Sequence, residues 1–371
     1  MISEEDYQAN VRKAMERCEK LYYETNGRFY ISFSGGEDST MMLRLYQMCY
    51  EIGSIPQLPK AVFSNTGVEM RASVEFVNWV KENYYKNIDI VRPKEAFVQV
   101  IKKYGKPMIA KAKSQFIASY QRALKKGNEK TSSRLLLLLL YGKSHIEDEK
   151  STSKFKLADR NCNILHPDFD IRVSDKCCYV LKKSPLMQYA LDNDLLGYAT
   201  GERNDEGGIR ATSSKKRVNN GGQLCTKYKT IGSGKNKRRM IIKMPIIDWS
   251  DEMLKMFRER ERVPLSKAYT EYGCKRTGCA FCPYAFSKKD VSERLEILFK
   301  NEPKMYKYAM ATMKDVYIAQ NIELPFDSDY EFERKQKWLT TYDKQRYEMI
   351  LKYRPEKAKK YKIENKQTTL F

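Results

Sequence analysis

The chain has 371 residues, 69 of them basic against 47 acidic, for a formal charge of +22. That length can bury a substantial core and allows two domains or one with large elaborations, while the charge attracts polyanions, nucleic acid first among them. The six leucines after Arg134 are too few to cross a bilayer and no signal peptide is read, so the expectation is a cytoplasmic protein without membrane association. In such a reducing compartment nine cysteines point to metal binding or catalysis rather than a disulfide framework.

In chain order, Glu4 to Tyr23 has the pattern of an amphipathic helix. Phe29 to Phe33 reads as a buried parallel strand, and Asp38 to Leu45 carries apolar residues at helical spacing. Between them stands Ser34-Gly35-Gly36. Two glycines at a strand-to-helix turn let the backbone approach a ligand closely, and the amides that open a helix are unpaired donors at its positive end. The turn is therefore predicted to be a phosphate cradle, with hydroxyl donors from Ser34, Ser39 and Thr40. Asp38 is placed either to cap the helix or to hold a magnesium ion bridging phosphates. The lysine and longer glycine spacing of the ordinary P-loop are missing.

Lys60 to Ser64 is predicted as a second strand, with Asn65-Thr66-Gly67-Val68-Glu69 at its carboxyl end facing the same crevice. Ile88 to Val91 is a third, and the βαβα rhythm calls for a parallel sheet flanked by helices. Residues 105 to 160 interrupt it with a lysine-rich helical stretch, the leucine run and the polar segment His145 to Lys154, an insertion expected to shape the substrate entrance. Ser174 to Leu191 reads as a helix with Cys177-Cys178 near its start, kinked or restarted at Pro185. Leu195 to Thr200 is a further strand, ending in Gly201-Glu202-Arg203 and running on to Arg210.

Residues 211 to 239, rich in Gly, Asn, Ser, Lys and Arg, are expected to be a mobile loop, either a nucleic-acid guide arm or a solvated connection. Met240 to Ile246 returns as a strand, and Pro245 to Ser250 leads into the helix Asp251 to Arg262, capped by Ser250. Cys274, Cys279 and Cys282 form a C-x4-C-x2-C knuckle whose last two thiols can share one metal centre, the tandem Cys177-Cys178 being the obvious source of further ligands. An all-cysteine zinc site and an iron-sulfur centre both suit thiolates. Asn301 to Lys362 is helical in pattern, a C-terminal helical subdomain.

The S-G-G-x-D-S loop resembles that of the ATP pyrophosphatases (PP-loop enzymes) in the form seen in the phosphoadenosine phosphosulfate (PAPS) reductase family. Asn65 to Glu69, Gly201 to Arg210 and Pro245 to Trp249 resemble that family's N-T-G-x-E, G-x-R-x-x-E-S-x-x-R and P-hydrophobic-x-D-W segments, in the same order. The resemblance spans about residues 28 to 286 without the insertion. It implies an adenine-nucleotide α-hydrolase-like fold, in parts 1–104, 105–160, 161–290 and 291–371, that binds ATP and magnesium. It also implies nucleotide contacts from Asn65, Thr66, Gly67 and Gly201, and phosphate or sulfate contacts from Arg203 and Arg210 oriented by Glu206. Gly207 stands where the family has serine. Relatives that reduce adenylyl sulfate carry a Cys-Cys pair and a C-x2-C holding a 4Fe-4S cluster. Carried over, the ligands are Cys177, Cys178, Cys279 and Cys282, with Cys274 able to replace Cys177 and Zn2+ as the alternative metal.

Sulfonucleotide reductases of the family end in a segment bearing a catalytic cysteine, and no cysteine follows Cys282 here. The expected activity is therefore ATP pyrophosphatase or adenylyl transfer toward a nucleic-acid or sulfur-carrying acceptor, as in relatives that insert sulfur into the DNA backbone, with a sulfur-donor protein as a partner. The alternatives are a sulfonucleotide reductase using an external thiol and a DNA-associated regulatory or defence protein that holds ATP structurally. Gln367 to Phe371 resembles the Q-x-x-L-F peptide that docks on the bacterial sliding clamp.

Overall fold

The computed structural model describes residues 2–143, 155–204, 208–284, 288–324 and 339–361, without the side chains of 208–212, 288, 339–340 and 359–361. The chain divides into two units, residues 1–94 with 180–279 and residues 95–179 with 280–371.

The first unit is built on strands β1 (Phe29–Phe33), β2 (Lys60–Ser64), β3 (Ile88–Val91), β4 (Gly197–Ala199), β5 (Thr226–Ile231) and β6 (Arg238–Lys243), in spatial order β3-β2-β1-β4-β6-β5. All neighbours run parallel except β5, which is antiparallel to β6. The expected α/β class is thus correct, with one antiparallel edge added. Helix α1 (Glu4–Glu24) buries Tyr7, Val11, Ala14, Cys18 and Leu21, one stripe at helical spacing, and Ser3 caps it by accepting from the Asp6 amide. Helix α2 (Glu37–Glu51) is buried along most of its length, from Ser39 to Leu43 and again at Leu45, Tyr46 and Cys49. Helix α3 (Arg71–Asn83) follows β2. The chain moves outward from β1 to β3 and then returns to place β4 on the other side of β1. The strand order reverses there, and in such sheets ligands bind outside the carboxyl ends at the reversal.

One sequence expectation changes. Residues 211–239 are not a loop: helix Gly208–Asn219 and β5 occupy most of the segment, and β5 pairs residue for residue with β6 from Thr226–Lys243 to Ile231–Arg238. The alternation of half-exposed Lys227 and Lys229 and buried Ile231 with exposed Tyr228 and Thr230 is a strand pattern that the surrounding glycine and lysine content conceals. The stretch Ser174 to Leu191 is helical as expected, a π-helical turn, Tyr179–Lys183, running into helix Ser184–Asp192 that restarts with Pro185 in its first turn, where proline's missing N–H costs nothing.

The second unit is helical. Its leucine run lies in helix Glu129–Tyr141, with Leu135, Leu139 and Leu140 buried. The expected C-terminal helices are Pro303–Ala319 and Leu339–Tyr353. Buried Arg354 ties the unit together, donating to Asp159 and to the Leu140 carbonyl, while Arg346 donates to the Arg160 carbonyl at 2.7 Å. No helix among the described residues is long and apolar enough to cross a membrane.

Candidate active site

The turn from β1 into α2 lies at the strand-order reversal. Gly35 has φ +71°, a left-handed conformation that favours glycine, and a Cβ there would also press on Val77 Cγ2 at 2.9 Å. Gly36 is the N-cap of α2, so Asp38 is not the cap and that alternative is withdrawn. The opening amides of α2 are not part of the helical ladder. Gly36 N–H is 3.4 Å from Ser34 Oγ and Glu37 N–H is 3.4 Å from the Tyr269 hydroxyl, long contacts that an anionic oxygen would replace with better ones.

Ser39 and Thr40 are buried, and both hydroxyls donate to the Gly36 carbonyl, at 2.8 and 2.9 Å. Ser39 Oγ also accepts from the Ser34 amide at 3.1 Å. These two side chains shape the turn from within, while Ser34 Oγ, 3.1 Å from Ser39 Oγ, is part-buried at its mouth.

Across the reversal, β4 ends in Gly201-Glu202-Arg203. A Cβ on Gly201 would lie 2.8 Å from the Asp38 carbonyl oxygen, so only glycine lets the exit of β4 pass so close to α2. Arg203 is buried and fully engaged in donating: Nε to Asp38 at 3.1 Å, Nη1 to the Trp249 carbonyl at 3.1 Å and Nη2 to Asp251 at 2.7 Å. Burial works against its charge, but Asp38 and Asp251 outweigh it and raise its pKa. Three predicted motifs therefore meet in one ion-paired node, and Arg203 positions Asp38. Glu202 pairs with Lys227 at 2.5 Å, and Glu37 with Arg258 at 2.6 Å, which offsets a negative charge next to the cradle.

At the end of β2, Glu69 is buried and its carboxylate accepts from the Thr66 amide at 3.0 Å and the Thr66 hydroxyl at 2.6 Å. Asn65 Oδ1 accepts from the Gly67 amide at 3.0 Å. Glu69 is thus the organiser of this turn. Asp248, from the same motif as Trp249, receives a two-pronged bond from Arg17 of α1, at 2.6 and 2.8 Å, and a third from Lys13 at 2.8 Å. Burial opposes its ionisation, yet these bonds hold the carboxyl down to about 2.

Two residues that sequence reasoning missed lie over the cradle. The Tyr269 hydroxyl, besides receiving Glu37 N–H, accepts the Thr277 amide at 3.2 Å and lies 3.2 Å from Thr277 Oγ1. Thr277 lies in the spacer between Cys274 and Cys279. An antiparallel bridge between Glu69 and Cys279 holds that segment against the β2 turn.

The cysteines divide. In the first unit Cys274 is buried with its sulfur 3.7 Å from Met70 Sδ. In the second, burial first and the neighbouring Cys178 next push the Cys282 thiol up to about 11. Tyr284, beside Cys177, Cys178 and Cys282, has its hydroxyl pKa raised, chiefly by burial. Among the described residues no three or more His, Cys, Asp or Glu gather as a metal group. Thiols of this kind suit iron-sulfur or zinc. Magnesium would rest on Asp38 and mainly on the phosphates, as this ion usually does. Glu206, the Arg210 side chain, His145 to Lys154 and Gln367 to Phe371 lie outside the described residues.

A family model for the phosphoadenosine phosphosulfate reductase domain matches residues 28–132 and 129–285. Among solved structures, the phosphoadenylyl-sulfate (PAPS) reductase from Candida auris in its phosphate complex is 12% identical, with 75% of this chain and 96% of that one covered at a TM-score of 0.39. No curated protein matches.

Proposed function

This chain belongs to the phosphoadenosine phosphosulfate reductase domain family, and from that membership we propose that it binds ATP at the Ser34–Gly36 turn and splits it between the α- and β-phosphates. An acceptor nucleophile attacks the α-phosphorus, the bridging P–O bond to the β-phosphate breaks, pyrophosphate leaves, and the acceptor becomes an adenylate. A nucleic acid or a sulfur-carrying partner fits the acceptor role; in a second step a hydrosulfide nucleophile forms the acceptor–sulfur bond as the acceptor–oxygen bond to AMP breaks, and AMP leaves.

The observation that carries this reading is the turn itself, a glycine-shaped cradle of off-ladder amides at the strand-order reversal. The amides of Gly35, Gly36 and Glu37 with Ser34 Oγ would stabilise charge on the leaving pyrophosphate. Asp38, fixed by Arg203, would orient magnesium on the phosphates, and Asn65 to Gly67 would contact the nucleotide. Such a site works by placement and by charge stabilisation.

The test is pyrophosphate release from ATP, with and without DNA. Release that Asp38→Asn reduces at least about a hundredfold is expected, in the range that loss of one group stabilising the transition state produces. ATP binding without turnover in both conditions overturns the enzyme assignment. The family membership equally supports a sulfonucleotide reductase that borrows a thiol from another chain. Thioredoxin-dependent sulfite release would select that reading.

A further inference from the structure

The second unit contains a cavity of about 440 Å³ that none of the nucleotide motifs enters. Its charged lining consists of Lys113, Lys156, Arg160 and Lys357 against one carboxylate, Asp159. Both oxygens of that carboxylate are already engaged: Oδ1 by Arg354, and Oδ2 by Lys357 at 3.3 Å. The remaining cations have no acid among the lining residues to offset them. Lys113 Nζ donates to the Lys156 carbonyl at 2.8 Å, a neutral partner, and burial followed by the Arg160 charge pushes its amine below the ordinary lysine range. The wall is fixed rather than adventitious, because Arg346 holds the Arg160 carbonyl and Arg354 bonds at Asp159.

Like charges held together on an ordered backbone repel, and an anion that bridges them relieves the cost. The apolar lining is limited to Leu157 and Ala158, and no aromatic ring is present on which a base could stack. A cavity that suits phosphate oxygens but offers a base no platform suits a sugar-phosphate backbone better than a free nucleotide. The chain's +22 charge favours the same class of partner. We propose that this cavity grips the phosphodiester backbone of a nucleic-acid strand, independently of its sequence. It deepens the acceptor half of the reading above by naming where a strand is held.

The test uses the full chain, a labelled oligonucleotide and fluorescence anisotropy across a salt series. Lys156→Glu combined with Arg160→Glu is expected to weaken binding at least about tenfold and to lower the salt slope by about 2, roughly one per lost phosphate contact. Should the double reversal unfold the unit, neutral Arg160→Gln at an exposed position is expected to weaken binding by about threefold. Unchanged affinity and slope in a folded variant overturns the proposal, as does a wild-type chain that binds no oligonucleotide. Inorganic pyrophosphate binding that the Lys156→Glu, Arg160→Glu reversal abolishes, in a chain that binds no oligonucleotide, would reassign the cavity to a small anion and also overturn it. Pyrophosphate release with and without DNA, measured alongside, separates the two failures: its absence in both conditions while the strand still binds sinks the enzyme reading and leaves this one standing.

Discussion

Single hydroxyls and single missing methyl groups decide how the cradle works. Tyr269 places its oxygen where a phosphate oxygen would meet Glu37 N–H, through a contact already long at 3.4 Å. Tyr269→Phe should therefore free the amide and tighten ATP binding by a few-fold, since a net hydrogen bond is worth about 1 kcal/mol. Titration calorimetry checks this, and weaker binding would mean that the hydroxyl works with the phosphate instead. Gly201→Ala drives a methyl group into the Asp38 carbonyl at 2.8 Å. It should cost about 1–3 kcal/mol of stability in a denaturant melt and weaken ATP binding with it. The sequence announced Ser34 to Thr40, Asp38, Gly201 and Arg203 as separate motifs, because each carries a local pattern. It held no sign that Arg203 would pair with Asp38, or that Tyr269 would lie over a turn 232 residues earlier. Such pairings are made by topology, and a local pattern has no access to them.

Elements with one clear period were legible, and those with mixed composition were not. The apolar stripe of α1 and the buried run of β1 follow directly from residue spacing. Strand β5 escaped notice because glycine and lysine surround it and only its register with β6 reveals it. The D-W motif, read through family likeness, has a plain structural task in this fold: Asp248 clasps Arg17 and Lys13 and so fastens α1 to the turn before helix Asp251–Arg260. Its carboxyl sits at about 2 against an ordinary 3.8. The depressed value means that its contribution is fully present above the unfolded pKa and is lost as pH falls through the folded one. Asp248→Asn should lower stability near neutrality by about 1–2 kcal/mol, allowing for screening on the solvent side. The gap between variant and wild type should close as pH approaches 2. Thermal melts across that range test it, and a gap independent of pH would assign the loss to packing.

For the molecule as a whole, each unit is assembled from two separate stretches of chain, so late residues complete what early ones begin. In the helical unit Arg354 joins helix Glu129–Tyr141 to the segment at Asp159. Arg354→Ala leaves the Leu140 carbonyl and one oxygen of Asp159 without this donor while Lys357 stays on the other oxygen, and losing hydrogen bonds from a charged group costs about 1.5–3 kcal/mol. Hydrogen exchange should then rise across residues 135–143 and 155–165 while the amides of β1 and β2 keep their protection. Equal loss in both units would show that they unfold as one. At one edge of the sheet, β5 presents Lys227, Lys229 and the Tyr228 ring, over which Arg239 stacks at 3.9 Å. An open strand margin is an invitation to a second sheet, and lysines along it are a usual deterrent to such accretion. Acetylating Lys227 and Lys229 would remove their charge from this margin, and the chain's tendency to add a further strand is expected to rise with it.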